Sequence, residues 1–255
     1  MPAAIFRFYA ALNDFLPQCQ RGSRLRYDFN GNPAVKDAIE ALGIPHPEVD
    51  LLLINGEPVD FQALLNDGDH ISVFPRFGCF PVGDVSRVKP PDLDEARFVL
   101  DVHLGRLAER LRMLGFDAWY SNQADDAELA HRSSREQRIL LTRDRGLLKR
   151  SEVVYGYCVR SLDPRAQVLE VLNRFALWDL FQPFKRCTAC NGLIHPASKD
   201  AVLDRLLPGT REAYDAFYAC DRCGKVYWEG MHVDEMREWI ESLRAARRGN
   251  GGHGC

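Results

Sequence analysis

Residues 96–120, ARFVLDVHLGRLAERLRMLGFDAWY, decide the fold of the second half of the chain. The apolar run 98–100 predicts a short buried strand, which ends at Asp101. Leucines then recur at helical spacing up to Gly115, a residue typical of a helix end, and residues 116–120 predict a second strand. Strand, helix and strand in this order are typical of a sheet covered by helices.

The segments that follow continue this alternation. Acidic residues at 125–128 begin a predicted helix, and residues 138–144 (RILLTRD) and 153–161 (VVYGYCVRS) predict two further strands. Residues 167–177 predict another helix. The sequence therefore predicts an α/β domain with a mainly parallel sheet.

Two of the predicted strands end in an aspartate, Asp101 and Asp144. Ligands of parallel α/β sheets bind beyond the carboxyl ends of the strands, so both aspartates are expected at one rim, together with the acids of 125–128. A group of carboxylates is costly unless cations hold it together, and Mg²⁺ prefers oxygen ligands. Two such ions would activate water and stabilise the leaving oxygen of a phosphodiester.

Each of these acids also has an ordinary structural explanation. Asp144 alone fits the N-cap of a helix, while Asp125 and Asp126 fit a cap and a neighbour favoured by the helix dipole. The whole set also fits a phosphatase or a sheet rim without catalysis. Arginines close in sequence favour a polyanionic substrate, although solvated helix faces would place them there too. The arginines expected to contact such a substrate, which the resemblance described below makes RNA, are Arg106, Arg112, Arg143 and Arg145.

Four of the eight cysteines form two C-x2-C pairs, separated by 29 residues. Four thiolates at this spacing predict a closed tetrahedral zinc site, which is structural because no ligand position is left open. Glycines after each pair, Gly192 and Gly224, suit the tight turns of such a site. The predicted zinc ligands are Cys187, Cys190, Cys220 and Cys223.

The first eighty residues have a different pattern. Strands are predicted at 3–9, 23–29, 49–56 and in the run HISVF, and a helix is predicted over residues 33–43. Two strands, a helix and two strands indicate an α+β domain. Three prolines without periodicity then predict a linker over residues 81–95.

The bulk composition is that of an ordinary globular protein, with 46% hydrophobic and 27% charged residues and a net charge of −3. Nucleic-acid contacts would therefore depend on local basic patches. There is no apolar run of membrane-spanning length and no pattern of a signal peptide, so a cytoplasmic location is expected.

The stretches RFVLDVHLGRLAERLRMLGFDAWY, DDAEL and RILLTRDRGLL, followed by the cysteine pairs, resemble the Mut-seven C-terminal RNase domain, a PIN-like nuclease with a zinc ribbon. The resemblance covers about residues 96–240. It implies a ribonuclease dependent on magnesium or manganese. The residues that match its catalytic acids are Asp101, Asp126 and Asp144, with Asp125 and Glu128 as possible additional acids.

The order strand, NGEPVD, LLNDGDHISVFP resembles the ubiquitin-like β-grasp proteins that carry sulfur in thiamine and molybdopterin synthesis. The resemblance implies the fold. In those proteins a free C-terminal Gly-Gly carries the function. Sulfur transfer is not expected here, because the matching strand continues into Phe77-Gly78-Cys79-Phe80. Docking or stability is the favoured role of this domain.

These observations predict a metal-dependent endoribonuclease, with a non-catalytic RNA- or ribosome-binding adaptor as the alternative. RNA is the expected partner, with transfer, ribosomal and ribosome-associated RNA all open. A protein partner of the β-grasp domain is considered, and no membrane partner is expected. The predicted parts are a β-grasp domain (1–80), a linker (81–95), a PIN-like nuclease domain (96–182), a zinc ribbon with a C-terminal helix (183–243) and a disordered basic tail (244–255).

Overall fold

The computed structural model describes residues 1–76 and 85–250. By its internal contacts the chain divides into two compact units. The first combines Met1–Glu95 with Ala124–Val159, and the second combines Ala96–Gln123 with the described part of Arg160–Gly254. This division runs through the predicted nuclease domain, residues 96–182, and the predicted domain boundaries stay predictions.

Strands and helices are spread along the whole described chain. The strands are β1 Ala3–Phe8, β2 Arg24–Asp28, β3 Val49–Ile54, β4 Glu57–Pro58, β5 His70–Pro75, β6 Arg97–Leu100, β7 Asp117–Tyr120, β8 Ile139–Thr142, β9 Gly156–Cys158, β10 Ile194–Ala197, β11 Phe217–Cys220 and β12 Val226–Trp228. The α-helices are α1 Val35–Ala41, α2 Gly105–Met113, α3 Asp126–Arg135, α4 Arg145–Leu148, α5 Pro164–Arg174, α6 Lys199–Val202, α7 Pro208–Ala213 and α8 Met231–Asn250. Short 3-10 turns lie at Ala10–Phe15, Gln18–Gln20, His46–Glu48, Val102–Leu104 and Leu203–Arg205.

The N-terminal part of the first unit is a five-stranded sheet in the order β2-β1-β5-β3-β4. Strands β1 and β5 are parallel, with Phe6 opposite Ile71, and the other neighbours are antiparallel. Both of these side chains are fully buried, as is Ile39 of helix α1. The arrangement confirms the β-grasp fold predicted from the sequence.

The remainder of the first unit contains α3, β8, α4 and β9. Strands β8 and β9 are parallel, with Leu141 opposite Tyr157. Every residue of β8 is buried, which explains the continuous apolar run of its sequence. Strand β9 is shorter than predicted, since it covers three residues of the run 153–161.

The second unit begins with the parallel pair β6 and β7, in which Val99 lies opposite Trp119. Helix α2 connects them and buries Leu107 and Leu111. The two parallel pairs confirm the predicted α/β class with parallel strands. Helix α5 begins earlier than the predicted residue 167, because the side chain of Asp163 accepts a hydrogen bond from the backbone N–H of Ala166 and caps it.

The C-terminal part of the second unit contains the antiparallel sheet β10-β11-β12. One face of this sheet packs Phe217 against Val202 and Leu206, all three of which are buried. This small core is built from residues of the sheet and of the chain between β10 and β11.

Helix α8 corrects the prediction of a disordered tail from residue 244, because it continues through Asn250. Arg244 pairs with Glu241 one turn earlier, and Arg247 forms two hydrogen bonds to the carboxylate of Asp179. Tail residues 251–255 and linker residues 81–84 lie outside the described residues. No helix in the described part of the chain has the length and apolar character needed to cross a membrane.

Candidate metal centre and candidate active site

Four cysteine sulfurs lie close together at one end of the ribbon sheet. The Sγ atoms of Cys187, Cys190, Cys220 and Cys223 are all within 4.8 Å of one another. Cys187 and Cys190 lie before β10, Cys220 ends β11, and Cys223 precedes β12. The arrangement is that of a zinc ribbon, as predicted, and its four sulfur ligands suit a zinc ion.

The two cysteine turns have the same backbone geometry. In each, the N–H of the first cysteine donates to the carbonyl five residues later, Gly192 or Lys225, at 2.8 and 3.0 Å. The residue four positions after the first cysteine donates back to its carbonyl, and this residue has a positive φ, +69° at Asn191 and +71° at Gly224. Asn and Gly are the residues that best tolerate this conformation.

Gly192 has a different role from the one predicted, because the left-handed position of the first turn is Asn191. A Cβ atom added at Gly192 would lie 2.7 Å from the Sγ of Cys220 and from Asp221. Glycine is required there by close packing of the two turns, whereas at Gly224 it is favoured by the backbone conformation.

The protonation states of the thiols depend on their surroundings. Burial raises the pKa of Cys187, but hydrogen bonds from the Tyr227 hydroxyl and the Cys190 backbone lower it to about 6. Burial and contacts with the neighbouring thiols raise the pKa of Cys190 to about 12. Four adjacent thiolates repel one another, so a cation among them is what would allow all four to ionise together.

Arg112 holds the first cysteine turn against the α2–β7 segment. It is only 4% exposed, and its Nε donates to the carbonyl of Ala118 at 2.8 Å. One terminal nitrogen donates to the carbonyls of Thr188 and Ala189, each at 3.0 Å. Burial lowers the pKa of Arg112, against the opposing effect of the nearby thiols.

This placement does not favour the predicted binding of RNA by Arg112, which stays a prediction. Three of the N–H donors of its guanidinium are used by backbone carbonyls, and the side chain is buried. Among the arginines predicted to bind RNA, Arg106, Arg143 and Arg145 are exposed. Arg145 donates to the carbonyl of Phe15 at 2.8 Å and lies over the ring of the same residue.

Asn191 also holds the first cysteine turn against the α2–β7 segment. Its side-chain oxygen accepts from the N–H of Ala118 at 3.0 Å, and its amide donates to Asp117 at 2.8 Å. The side chain therefore hydrogen-bonds strand β7 where it begins. Asp117 is also paired with Arg186, which donates to the carbonyl of Asn191.

Asp144 is the N-cap of helix α4. Its Oδ1 accepts from the N–H of Gly146 at 2.6 Å and from the N–H of Leu147 at 3.4 Å. Its own N–H donates to the hydroxyl of Thr142 at 2.9 Å. Asp144 therefore has the N-cap role that its position in the sequence allowed, and the cap fixes the direction of its carboxylate.

The three acids of the 125–128 segment are used differently. The side chain of Asp125 caps α3 by accepting from the N–H of Glu128 at 2.8 Å. Glu128 is itself 3.5 Å from Arg132. Asp126, the first residue of α3, is exposed and has neither of these local tasks.

Asp101 follows β6 in the second unit and is 6% exposed. It caps a 3-10 turn, with a long contact of 3.5 Å from the N–H of His103. The other acids belong to the first unit. In that unit, Asp125, Asp126, Glu128 and Asp144 do not by themselves form a three-carboxylate cluster among the described residues.

Comparison with known proteins identifies both halves of the chain. A family model described as the Mut7-C RNAse domain matches residues 96–240, and a model described as Mut7-C ubiquitin matches residues 1–80. The chain belongs to the Mut7-C RNase family. The first match includes Asp101, Asp126, Asp144 and all four clustered cysteines, so the Mut7-C domain carries both candidate sites.

Two solved structures are similar to part of this Mut7-C chain. The crystal structure of SAMP1 from Haloferax volcanii is 25% identical, covers 29% of this chain and 94% of its own, and has a TM-score of 0.24. A structure of small archaeal modifier protein 1 from H. volcanii is 22% identical over 29% of this chain and 98% of its own, with a TM-score of 0.25. No curated protein matches the chain.

The contacts of Arg112 and Asn191 with the backbone around Ala118 and the first cysteine turn are not among the features predicted from the sequence. One signal was present, because Arg112 lies four residues after Ala108 on the buried stripe of α2. A charged residue on an apolar helix stripe indicates a buried polar contact. Asn191 gave no comparable signal.

Proposed function

We propose that this Mut7-C protein is a metal-dependent endoribonuclease that hydrolyses RNA phosphodiesters. The observation that carries the proposal is the RNase family match over residues 96–240, which includes two aspartates that lie just after parallel strands, Asp101 one residue and Asp144 two residues beyond the strand end. Asp101, Asp126 and Asp144 are the proposed ligands of magnesium or manganese. A bound divalent ion would supply Lewis-acid activation of water and stabilisation of the leaving oxygen.

The local geometry of Asp144 suits this role. Both of its hydrogen bonds to the start of α4 go to Oδ1, so Oδ2 accepts neither of them. The cap therefore orients the carboxylate while leaving one oxygen for another partner. A side chain fixed in this way loses little freedom when it binds an ion.

Asp126 is the preferred acid of its segment for a similar reason. Asp125 is engaged by the backbone of Glu128, and Glu128 lies near Arg132, whereas Asp126 is exposed at the first position of α3. Carboxylate oxygens suit magnesium and manganese. Asp125 and Glu128 remain the second choices.

The positively charged residues have separate proposed tasks. Arg106 and Arg143 are exposed and are proposed to hold phosphates that flank the cut bond. Arg145 is bound to Phe15, which reduces its freedom to follow a substrate. The four cysteines are proposed to hold a structural zinc ion.

The test is cleavage of an unstructured RNA by the purified chain, freed of loosely bound divalent ions and then supplied with Mg²⁺ or Mn²⁺. Asp144→Asn removes the charge but keeps the cap, because Asn is as good an N-cap as Asp. We expect cleavage to fall by at least a hundredfold, with unfolding unchanged. The matched control is Asp60→Asn, since Asp60 also accepts from the N–H two residues later, at 2.8 Å.

Equal cleavage by wild type and Asp144→Asn would remove Asp144 from the mechanism. RNA binding without cleavage under either ion, with several unrelated RNAs, would support the adaptor instead. Metal binding is followed separately, by the rise in melting temperature with Mn²⁺, which Asp144→Asn should reduce and Asp60→Asn should preserve.

A further inference from the structure

The ribbon sheet has a second face, opposite the one that packs on Val202. Pro196, Tyr218 and Tyr227 lie directly across from one another on β10, β11 and β12. Because side chains alternate along a strand, this row points away from the face that carries Phe217. The row lines a cleft of about 1080 Å³.

Other walls of the cleft come from helices of the same unit. Met113 of α2 and Val233 and Met236 of α8 line it, together with Phe184. The volume is slightly above the usual range for small-molecule sites, and therefore suits a ligand larger than one small ring. Apolar walls and aromatic rings suit flat, partly apolar groups.

Positive charge borders the aromatic row. Lys185 and Lys225 line the cleft and are exposed. Lys225 holds its ammonium 5.4 Å from the ring centre of Tyr227, and Lys185 donates to the neutral side chain of Gln182. Neither contact neutralises the lysine, in contrast to Arg237, which is paired with Glu229.

From this face we infer that the ribbon cleft binds an unpaired run of RNA, with a base stacked on Tyr218 and neighbouring phosphates held by Lys185 and Lys225. Rings on an open sheet face, flanked by lysines, are what single-stranded nucleic acid recognises, since every base has a flat face and every link a negative charge. The inference rests on the proposed function, because it names unpaired RNA as the substrate class.

The experiment measures binding of a fluorescent, unstructured oligouridine to the full chain by anisotropy. All proteins carry Asp144→Asn, and no divalent ion is added, so that RNA is not cut. Tyr218→Ala should raise the Kd about tenfold, equal to about 1.4 kcal/mol. Tyr218→Phe, which keeps the ring, should bind like the parent.

The charge is tested with Lys225→Ala and Lys185→Ala against a matched control, Lys199→Ala. Lys199 belongs to the same ribbon but is paired with Asp215 and does not line the cleft. Each cleft variant should weaken binding and reduce the slope of log Kd against log salt by about 0.7. Lys199→Ala should change neither. Zinc content measured for each variant shows that its ribbon is intact, and the two lysine variants keep the test open if Tyr218→Ala fails to fold.

Unchanged RNA affinity in intact Tyr218→Ala, Lys185→Ala and Lys225→Ala proteins would overturn the inference. This failure is distinct from that of the proposed function. If the wild type binds RNA through Tyr218 but never cuts it, the cleft stands and the nuclease falls. If the wild type cuts RNA while the cleft variants bind normally, the reverse holds.

Discussion

The Nε2 of His46 lies 2.8 Å from the carbonyl oxygen of Val153, although the two residues are 107 positions apart. A histidine of the β-grasp domain thus donates a hydrogen bond to the segment between α4 and β9. The ring is 7% exposed, and its other nitrogen lies 2.7 Å from the carboxylate of Glu40. The bond joins two stretches that the sequence assigned to different domains.

Two further hydrogen bonds join the β-grasp domain to the segment that contains α4 and β9. The buried carboxylate of Glu48 accepts from the N–H of Cys158 in β9 at 2.6 Å, and Lys149 donates to the carbonyl of Glu40 at 2.5 Å. The β-grasp domain is therefore a structural part of the unit that carries Asp144. Asp144 caps the beginning of helix α4, and Lys149 follows the end of the same helix. Docking of a separate protein remains a proposal for its other surfaces.

The first prediction concerns His46→Ala, which leaves the buried carbonyl of Val153 without its donor. We expect the free energy of unfolding to fall by about 1–3 kcal/mol, the cost of an unsatisfied buried polar group. Denaturant unfolding measures the loss, and hydrogen exchange should quicken at the amide of Val159, which donates to β8. His131→Ala, at an exposed site of α3, is the control. Equal stability of the two variants would show that the bond contributes little.

The second prediction concerns Arg112→Lys, which keeps the charge but replaces the two separate donor nitrogens of the guanidinium by a single ammonium, so that the contacts with Ala118 and with the cysteine turn cannot both be kept. The first cysteine turn should loosen, so zinc should leave several times faster when a chelator is added. Arg106→Lys is the matched control, because Arg106 lies on the same helix and is exposed. Zinc release at the same rate from both variants would separate Arg112 from the stability of the ribbon.

The sequence predicted what local patterns determine. The apolar run ILLT gave β8, the spacing of leucines gave α2, and the spacing of cysteines gave four sulfurs within reach of one ion. The resemblance to the Mut-seven domain supplied the family, which residue patterns alone did not distinguish from a phosphatase.

Contacts between distant residues were beyond local patterns. Nothing near His46 indicates Val153 as its partner, and nothing near Arg112 indicates the carbonyl of Thr188. Helix α8 was predicted to end too early because a Gly-rich stretch follows, whereas the bond from Arg247 to Asp179 depends on the folded unit.

The third prediction concerns pH. Burial raises the pKa of Glu136, but the hydrogen bond and charge of Arg138 and the charge of Arg132 together lower it by more. The net pKa therefore lies below the ordinary 4.5. A depressed carboxyl pKa stabilises the fold above about pH 4.5, and this stabilisation is lost as the pH falls through the folded value. Between pH 6 and pH 3, the free energy of unfolding should therefore decrease.

Glu136→Gln should reduce that decrease and should cost about 2 kcal/mol at pH 7, because Arg132, Arg135 and Arg138 lose a charged partner. Denaturant unfolding at a series of pH values measures both effects. Glu152→Gln, at an exposed site of the same unit, should keep the wild-type pH dependence. An unchanged pH profile for Glu136→Gln would assign the acid sensitivity to other groups.

The last prediction separates the two glycines that follow the cysteine pairs. Gly192→Ala adds a methyl group 2.7 Å from the Sγ of Cys220 and from the Cβ of Arg222, so one cysteine turn must move away from the other. Zinc binds four sulfurs at about 2.3 Å, a geometry that tolerates little displacement. The variant should therefore purify with less than one zinc per chain and melt at a lower temperature. Gly209→Ala, where an added methyl group meets nothing within 4 Å, should retain full zinc. If Gly192→Ala also retained full zinc with wild-type stability, the turns would have to be looser than their hydrogen bonds indicate, and Gly192 would be replaceable.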